Sequence, residues 1–144
     1  MSHVLMIESW VGGTGRLLPR AIVDAGHRYT FVTRRPEHYP AAPDGSLHPV
    51  LACAARVLTL ETNDATALGE ALRHHHAEDP FDGALGICDY YLETIVQVAT
   101  ALGIPHPFPA RVGFERRKHC VRRALEEAGV PSVRHAVTRG WQAT

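Results

Sequence analysis

Residues 4–33 read VLMIESWVGGTGRLLPRAIVDAGHRYTFVT, and this segment decides the fold. Val4–Ile7 is a continuous apolar run of strand length, which is typical of a parallel strand buried on both faces. A glycine-rich loop follows and ends at Gly15, after which apolar residues recur at helical spacing until Gly26. A second strand is predicted at Tyr29–Thr33. Strand, loop, helix and strand together predict the start of a right-handed βαβ unit.

The middle of the chain continues the same alternation. The proline-rich segment 34–49 is predicted to be an exposed loop with at most one helical turn. Further strands are predicted at Val57–Leu60 and Phe81–Ile87, with Asp64 capping the helix between them. An amphipathic helix is predicted from Leu92 to Leu102. This order predicts an α/β fold, a Rossmann-like open parallel sheet with helices on both faces.

The C-terminal part differs from the rest of the chain. Lys118 is the only lysine among 15 basic residues, and it lies near the start of a basic helix that Gly129 is predicted to end. Val133–Thr138 has the pattern of one more strand. We therefore divide the chain into a Rossmann-like domain, residues 1–110, and a helix and strand, residues 111–144.

Composition narrows the classes of protein to which the chain can belong. Its 144 residues are 45% hydrophobic and 21% charged, which is typical of one globular domain. Its formal net charge of zero provides no overall field for nucleic acid or for an anionic membrane surface. Cys53, Cys88 and Cys120 lack metal-site or disulfide spacing, and the first apolar run is too short for a signal peptide or a membrane span. These features favour a cytoplasmic protein.

The loops that follow the strands are the expected binding region. In an open parallel sheet, ligands bind beyond the carboxyl ends of the strands. Three segments are expected there: Glu8–Gly15, Thr33–Arg35 and Cys88–Tyr91. The glycine loop in the first segment also has a purely structural interpretation, since glycines make a tight turn from strand to helix possible.

Dinucleotide binding is one alternative for this region. Gly12 and Gly15 could bring amides to a pyrophosphate, and Arg34 and Arg35 could meet a 2′-phosphate. However, Leu18 stands where that fingerprint has glycine or alanine, and no acidic residue ends the second strand.

Other side chains carry weaker signals. Cys88 could be a nucleophile, although a buried, unreactive thiol is the more common case. His74–His76 are adjacent on a helix, so the three cannot all face one metal ion. Arg111–Arg123 could contact nucleic acid phosphates, but glutamates balance its charge and no stacking aromatics accompany it. We therefore expect no metal site and no nucleic-acid partner.

The order of motifs from Gly86 onward resembles the N-terminal, pre-ATP-grasp domain of ATP-grasp carboxylate–amine ligases. In that family a helix ends in A-x-x-LG-[IL]-P, a lysine follows in a DK or RK pair, and a further helix ends in AG-[VI]-P. The chain has these features at Ala99–Pro105, at Arg117-Lys118 and at Ala128–Pro131. The opening segment ESWVGGTGR also resembles ATP-grasp proteins near the L-amino-acid ligases.

The resemblance implies a function and the residues that serve it. Family members activate a carboxylate with ATP and Mg²⁺ to an acyl phosphate, which an amine then attacks. Lys118 would contact the ATP phosphates, although Arg117 replaces the usual aspartate before it. Glu8 would pair with a substrate ammonium. The other implied substrate-binding residues are Gly12, Gly13, Gly15, Asp89, Tyr90 and Tyr91.

The resemblance also implies lobes that these residues do not include. ATP and Mg²⁺ would be bound largely by those lobes, so we expect no catalytic or metal-ligating residue in residues 1–144 and no ligase activity from them alone. Because Trp141–Thr144 ends without a partner, a truncated chain is the favoured interpretation. A non-catalytic binding or homodimerisation module remains the alternative from another class, since missing lobes would expose an apolar face.

Overall fold

In the computed structural model, residues 1–109 and 111–138 are described. They separate into two compact units that divide between Phe108 and Pro109, and each is described by itself. The sequence placed this boundary two residues later. The prediction that Trp141–Thr144 has no partner falls outside the described residues.

The first unit is built on a four-stranded sheet in which every neighbouring pair is parallel. The strand order is β3-β2-β1-β4, so β1 lies inside the sheet. The strands are β1 His3–Ile7, β2 Arg28–Thr33, β3 Arg56–Thr59 and β4 Gly83–Leu85. The α/β class and the parallel sheet are therefore confirmed.

Four helices connect or follow these strands. They are α1 Thr14–Asp24, α2 Pro49–Ala52, α3 Ala65–Glu78 and α4 Leu92–Leu102. The Asp64 carboxylate accepts hydrogen bonds from the Thr66 and Ala67 amides, which confirms Asp64 as the N-cap of α3. Gly103 ends α4 in a left-handed conformation, with φ of +69°.

The two faces of β1 explain why both layers of helices are needed. Leu5 and Ile7 point into one core, which they share with residues of α3 and α4. Met6 points into a second core, which it shares with residues of α1 and α2. All three side chains are fully buried. Fully burying side chains of this kind contributes about 1.5–3 kcal/mol each, so a polar substitution in β1 would disrupt one core or the other.

One local prediction in this unit differs from the structure. The fourth strand covers Gly83–Leu85 rather than residues 81–87, because parallel pairing with β1 extends over only three residues. Pro19 lies in the second turn of α1. It is buried there, so its packing offsets part of the cost of the lost amide donor.

The second unit contains two helices, α5 Val112–Arg116 and α6 Lys118–Glu127. Lys118 is the first residue of α6, and Gly129 follows the helix with φ of +68°, as predicted. The strand predicted at Val133–Thr138 is wrong, because residues 131–138 are irregular. Val133 and Val137 are 62% and 60% exposed, and residues that favour strands form none without a neighbouring strand to bond.

Candidate functional site at the carboxyl edge of the sheet

The carboxyl edge, formed by the loops that follow the four strands, is organised around Glu8. This side chain lies directly after β1 and is 6% exposed. Its Oε1 accepts hydrogen bonds from the Arg34 amide at 2.9 Å and from the Thr62 hydroxyl at 2.8 Å. Its Oε2 accepts hydrogen bonds from the Thr33 and Tyr39 hydroxyls, both at 2.8 Å. One carboxylate therefore joins the loops after β1, β2 and β3.

The backbone at Glu8 adopts an uncommon conformation. Its φ is +49°, and among the described residues it is the one non-glycine residue with positive φ. Such a conformation is strained for a residue with a Cβ atom, and it persists where surrounding contacts enforce it. Four donors occupy the carboxylate from within the chain. The predicted pairing of Glu8 with a substrate ammonium stays a prediction, and the geometry assigns this residue a role in holding the edge together.

Tyr39 is the second member of this network. Its hydroxyl donates a hydrogen bond to Glu8 and accepts one from the Ser9 amide at 2.9 Å. Burial, reinforced by the Glu8 carboxylate, raises the pKa of Tyr39 well above its usual value. The phenol therefore stays protonated and continues to donate to Glu8 at physiological pH.

The glycine loop is shaped by close backbone packing. A Cβ atom on Gly15 would lie 1.7 Å from the Trp10 carbonyl oxygen, so no other residue fits there without backbone movement. A Cβ atom on Gly12 would meet nothing within 4 Å. The Gly15 amide donates to the Gly12 carbonyl, which leaves it occupied by the turn. The structural interpretation of Gly15 is therefore supported, and ligand binding by Gly12, Gly13 and Gly15 stays a prediction.

The loop after β4 reaches the same edge. Asp89 to Tyr91 form a 3₁₀ turn that leads into α4. The Tyr90 and Tyr91 rings pack edge to face with centroids 5.0 Å apart. Asp89 and Tyr90 are exposed, whereas Tyr91 is partly buried and approaches Asn63. The substrate-binding roles of Asp89, Tyr90 and Tyr91 stay predictions.

Tyr91 links this loop to the Glu8 network. Burial raises the pKa of Tyr91, while a hydrogen bond with Thr62 and the nearby Arg34 charge act in the opposite direction. The Glu8 charge also acts on this phenol. The edge cluster, defined as Glu8, Arg34, Thr62 and Tyr91, thus takes one residue from the loop after each of the four strands.

Cys88 has the properties of a structural thiol. It is 7% exposed at the end of the fourth strand region. Burial raises the pKa of the thiol, which disfavours the nucleophilic thiolate. The geometry therefore favours the buried, unreactive interpretation of this residue.

Lys118 belongs to the second unit and is exposed at the start of α6. Its position at the head of a helix confirms the predicted location. Its contact with ATP phosphates stays a prediction.

Two residues of the Glu8 network, Tyr39 and Thr62, were absent from the sequence-based site. Thr62 lies in the loop after β3, so a hydroxyl side chain near a carboxylate at the sheet edge was a usable signal. Tyr39 lies beyond a short 3₁₀ turn, Pro36–His38, in the proline-rich loop, where spacing gives no indication of its direction.

The described residues also bear on the expected metal and membrane interactions. Within residues 1–109 and 111–138, no group of three or more His, Cys, Asp or Glu side chains is arranged to hold a metal ion. None of the helices in the described part of the chain combines the length and the apolar character needed to cross a bilayer. The cytoplasmic location, the homodimer and the absence of a nucleic-acid partner stay predictions.

Residues 20–106 of the chain match the family described as the ATP-grasp N-terminal domain. This match covers more than half of the chain and includes β2, β3, β4 and the helices between them. Among curated proteins, none matches the chain.

Solved structures share the fold. The L-amino acid ligase from Bacillus licheniformis superposes with a TM-score of 0.70 at 20% identity, over 92% of this chain and 31% of that protein. Phosphoribosylglycinamide synthetase from Anaerococcus prevotii gives a TM-score of 0.66 at 15% identity, over 96% of this chain and 32% of that protein. This chain therefore spans about a third of the length of these two enzymes.

A dinucleotide-binding protein shares the fold less closely. Leucoanthocyanidin reductase from Vitis vinifera, solved with NADPH, gives a TM-score of 0.51 at 18% identity, over 89% of this chain and 47% of that protein. At this level of identity, the likeness concerns the fold alone.

Proposed function

Because this chain belongs to the ATP-grasp N-terminal domain family, we propose that it is the substrate-side domain of a ligase that joins a carboxylate to an amine at the expense of ATP. The observation that carries the proposal is the family match over residues 20–106, together with a fold like that of the L-amino acid ligase. The carboxyl edge, where the four strand-end loops meet, provides the surface for a small substrate. One substrate, we propose, is an amino acid.

The proposed reaction has two steps. A carboxylate oxygen attacks the γ-phosphorus of ATP, so an acyl phosphate forms and ADP leaves. The amine then attacks the carbonyl carbon, loses a proton and displaces inorganic phosphate. Magnesium supplies charge neutralisation on the phosphates when ATP is bound. ATP and Mg²⁺ bind largely through parts of the enzyme beyond residues 1–144, in keeping with the one-third of ligase length that this chain spans.

Turnover that requires both substrates tests this proposal. In the whole ligase, ADP release with Mg²⁺ is expected only when a carboxylate and an amine are both supplied. Equal ADP release with either substrate alone would contradict it. The 144-residue chain by itself is expected to release no ADP above the background of buffer, and a measurable ligation rate would show that these residues suffice.

Lys118 is the residue proposed to meet the ATP phosphates. It is the only lysine, it is exposed, and a compact ammonium suits a phosphate. In the whole ligase, Lys118→Ala should weaken ATP binding about tenfold or more, because a charge-assisted hydrogen bond contributes about 1.5–3 kcal/mol. Arg123→Ala, an exposed cation of the same helix, is the matched control and should leave the affinity unchanged. Equal losses of ATP affinity in the two variants would show that Lys118 is not a specific contact of the ATP phosphates.

A further inference from the structure

Arg34 is a member of the edge cluster whose side chain the proposed function leaves unused. It is the first residue after β2, and its backbone amide is fixed by the hydrogen bond to Glu8 Oε1 at 2.9 Å. The side chain is partly buried, and its Nε is buried without a hydrogen-bond partner among the described residues. A buried donor on a cationic group calls for an acceptor, since such groups are nearly always paired.

Glu8, the acid of this network, does not supply that acceptor. Both Glu8 oxygens are occupied by two donors each, and the only one of these from Arg34 is its backbone amide. Within residues 1–109 and 111–138, no ion pair of the Arg34 guanidinium is found. Among the described residues, the buried Nε of Arg34 therefore has a donor with no acceptor.

The surroundings of Arg34 place it where a ligand would enter. Its charge acts on the Tyr91 phenol, so the guanidinium lies within electrostatic range of the loop after β4. Helices α1 and α2 pack on one face of the sheet, and α3 and α4 pack on the other. The loops after β1 and β4 consequently diverge to opposite faces, and the crevice between such loops is where ligands bind in open parallel sheets.

We propose that the Arg34 guanidinium binds the oxyanion group, carboxylate or phosphate, of the small-molecule substrate that occupies the carboxyl edge. A planar guanidinium matches either group with two parallel hydrogen bonds. Glu8 acts as a positioning residue for this site, since it fixes the backbone from which the arginine extends. The inference rests on the proposed function in taking the ligand to be the ligase substrate, but its test reads binding and requires no turnover.

The experiment uses the 144-residue chain and the NMR signals of arginine side-chain Nε–H groups. Sodium phosphate and sodium acetate are titrated separately, with sodium chloride at matched ionic strength as the third arm. We expect a saturable shift of the Arg34 Nε–H signal with phosphate or acetate and none with chloride. Saturation by phosphate alone identifies a phosphate group as the ligand, whereas saturation by acetate identifies a carboxylate.

Adjacent arginines provide a matched pair of variants. Arg34→Gln should weaken the saturable binding about tenfold or more, the loss expected for one charge-assisted contact. Arg35→Gln alters an exposed guanidinium one residue away and should leave the affinity unchanged. The Arg35 signal is expected to shift linearly with anion concentration. The proposal is overturned if the wild-type Arg34 signal also shifts linearly, or if chloride produces the same shift. Because the wild-type titration decides this alone, a poorly folded Arg34→Gln variant would not obscure the result.

Discussion

Replacing Glu8 by glutamine probes the network on which the carboxyl edge depends. The carboxylate accepts four hydrogen bonds of 2.8–2.9 Å, from Thr33, Arg34, Tyr39 and Thr62. A hydrogen bond to a charged group contributes about 1.5–3 kcal/mol, against about 0.5–1.5 kcal/mol for a neutral pair. Glutamine keeps one acceptor oxygen, and the two hydrogen bonds to that oxygen weaken because the negative charge is lost. The two donors at the other position face the amide NH₂ group, which itself donates.

The net loss is smaller than the sum of these terms. A neutral amide costs less to bury than a carboxylate, and hydroxyl groups can rotate to accept from it. We expect Glu8→Gln to lower the free energy of unfolding by about 3 kcal/mol. For a unit of this size, that corresponds to a fall of about 10 °C in Tm.

Urea unfolding of the 144-residue chain, followed by circular dichroism, measures this loss. Glu70→Gln makes the same chemical change at an exposed position of α3 and serves as the control. Its effect should stay within about 0.5 kcal/mol. If Glu8→Gln were no more destabilising than Glu70→Gln, the buried network would not hold the edge together, and the positioning role assigned to Glu8 would be wrong.

Two further predictions concern stability. Burial lowers the pKa of His3, with the Arg28 charge adding to the effect, so the unfolded chain binds its proton more readily. Stability should therefore decline as pH falls below about 6.5, the ordinary histidine value, and urea unfolding at pH 7.5 and 5.5 should show a smaller decline in His3→Asn. An equal decline in both proteins would show that His3 is not the source of this pH dependence. Gly15→Ala should cost about 3 kcal/mol or more, because its Cβ would meet the Trp10 carbonyl, whereas Gly12→Ala should change stability by less than about 0.5 kcal/mol. Equal effects of the two glycine substitutions would contradict this account of the loop.

The sequence predicted the sheet well because burial on both faces leaves a clear pattern. The uninterrupted apolar run at β1 indicated an interior parallel strand, and Leu5 and Met6 do point into different cores. The helix ends were also readable, since Asp64 and Gly103 act through local backbone chemistry. The strand prediction for Val133–Thr138 was wrong because a β-branched composition is a local signal, whereas strand formation depends on a neighbouring strand that the sequence does not reveal.

The candidate site was only partly readable for a related reason. Position after a strand was enough to bring Glu8 and Tyr91 to one edge. Whether the Glu8 carboxylate faces a ligand or the protein depends on Thr62 and Tyr39, which are 54 and 31 residues away along the chain. The sequence singled out Arg34 only for the dinucleotide alternative, and its unpaired Nε became evident only from the structure.

The central claim is that this domain belongs to an enzyme that activates a carboxylate as an acyl phosphate. Oxygen transfer tests it most directly. The whole ligase is supplied with ATP, Mg²⁺, an amine and an amino acid whose carboxylate carries ¹⁸O, and the released phosphate is analysed by mass spectrometry. The account predicts one ¹⁸O atom in each phosphate formed. Product formation with unlabelled phosphate would contradict it.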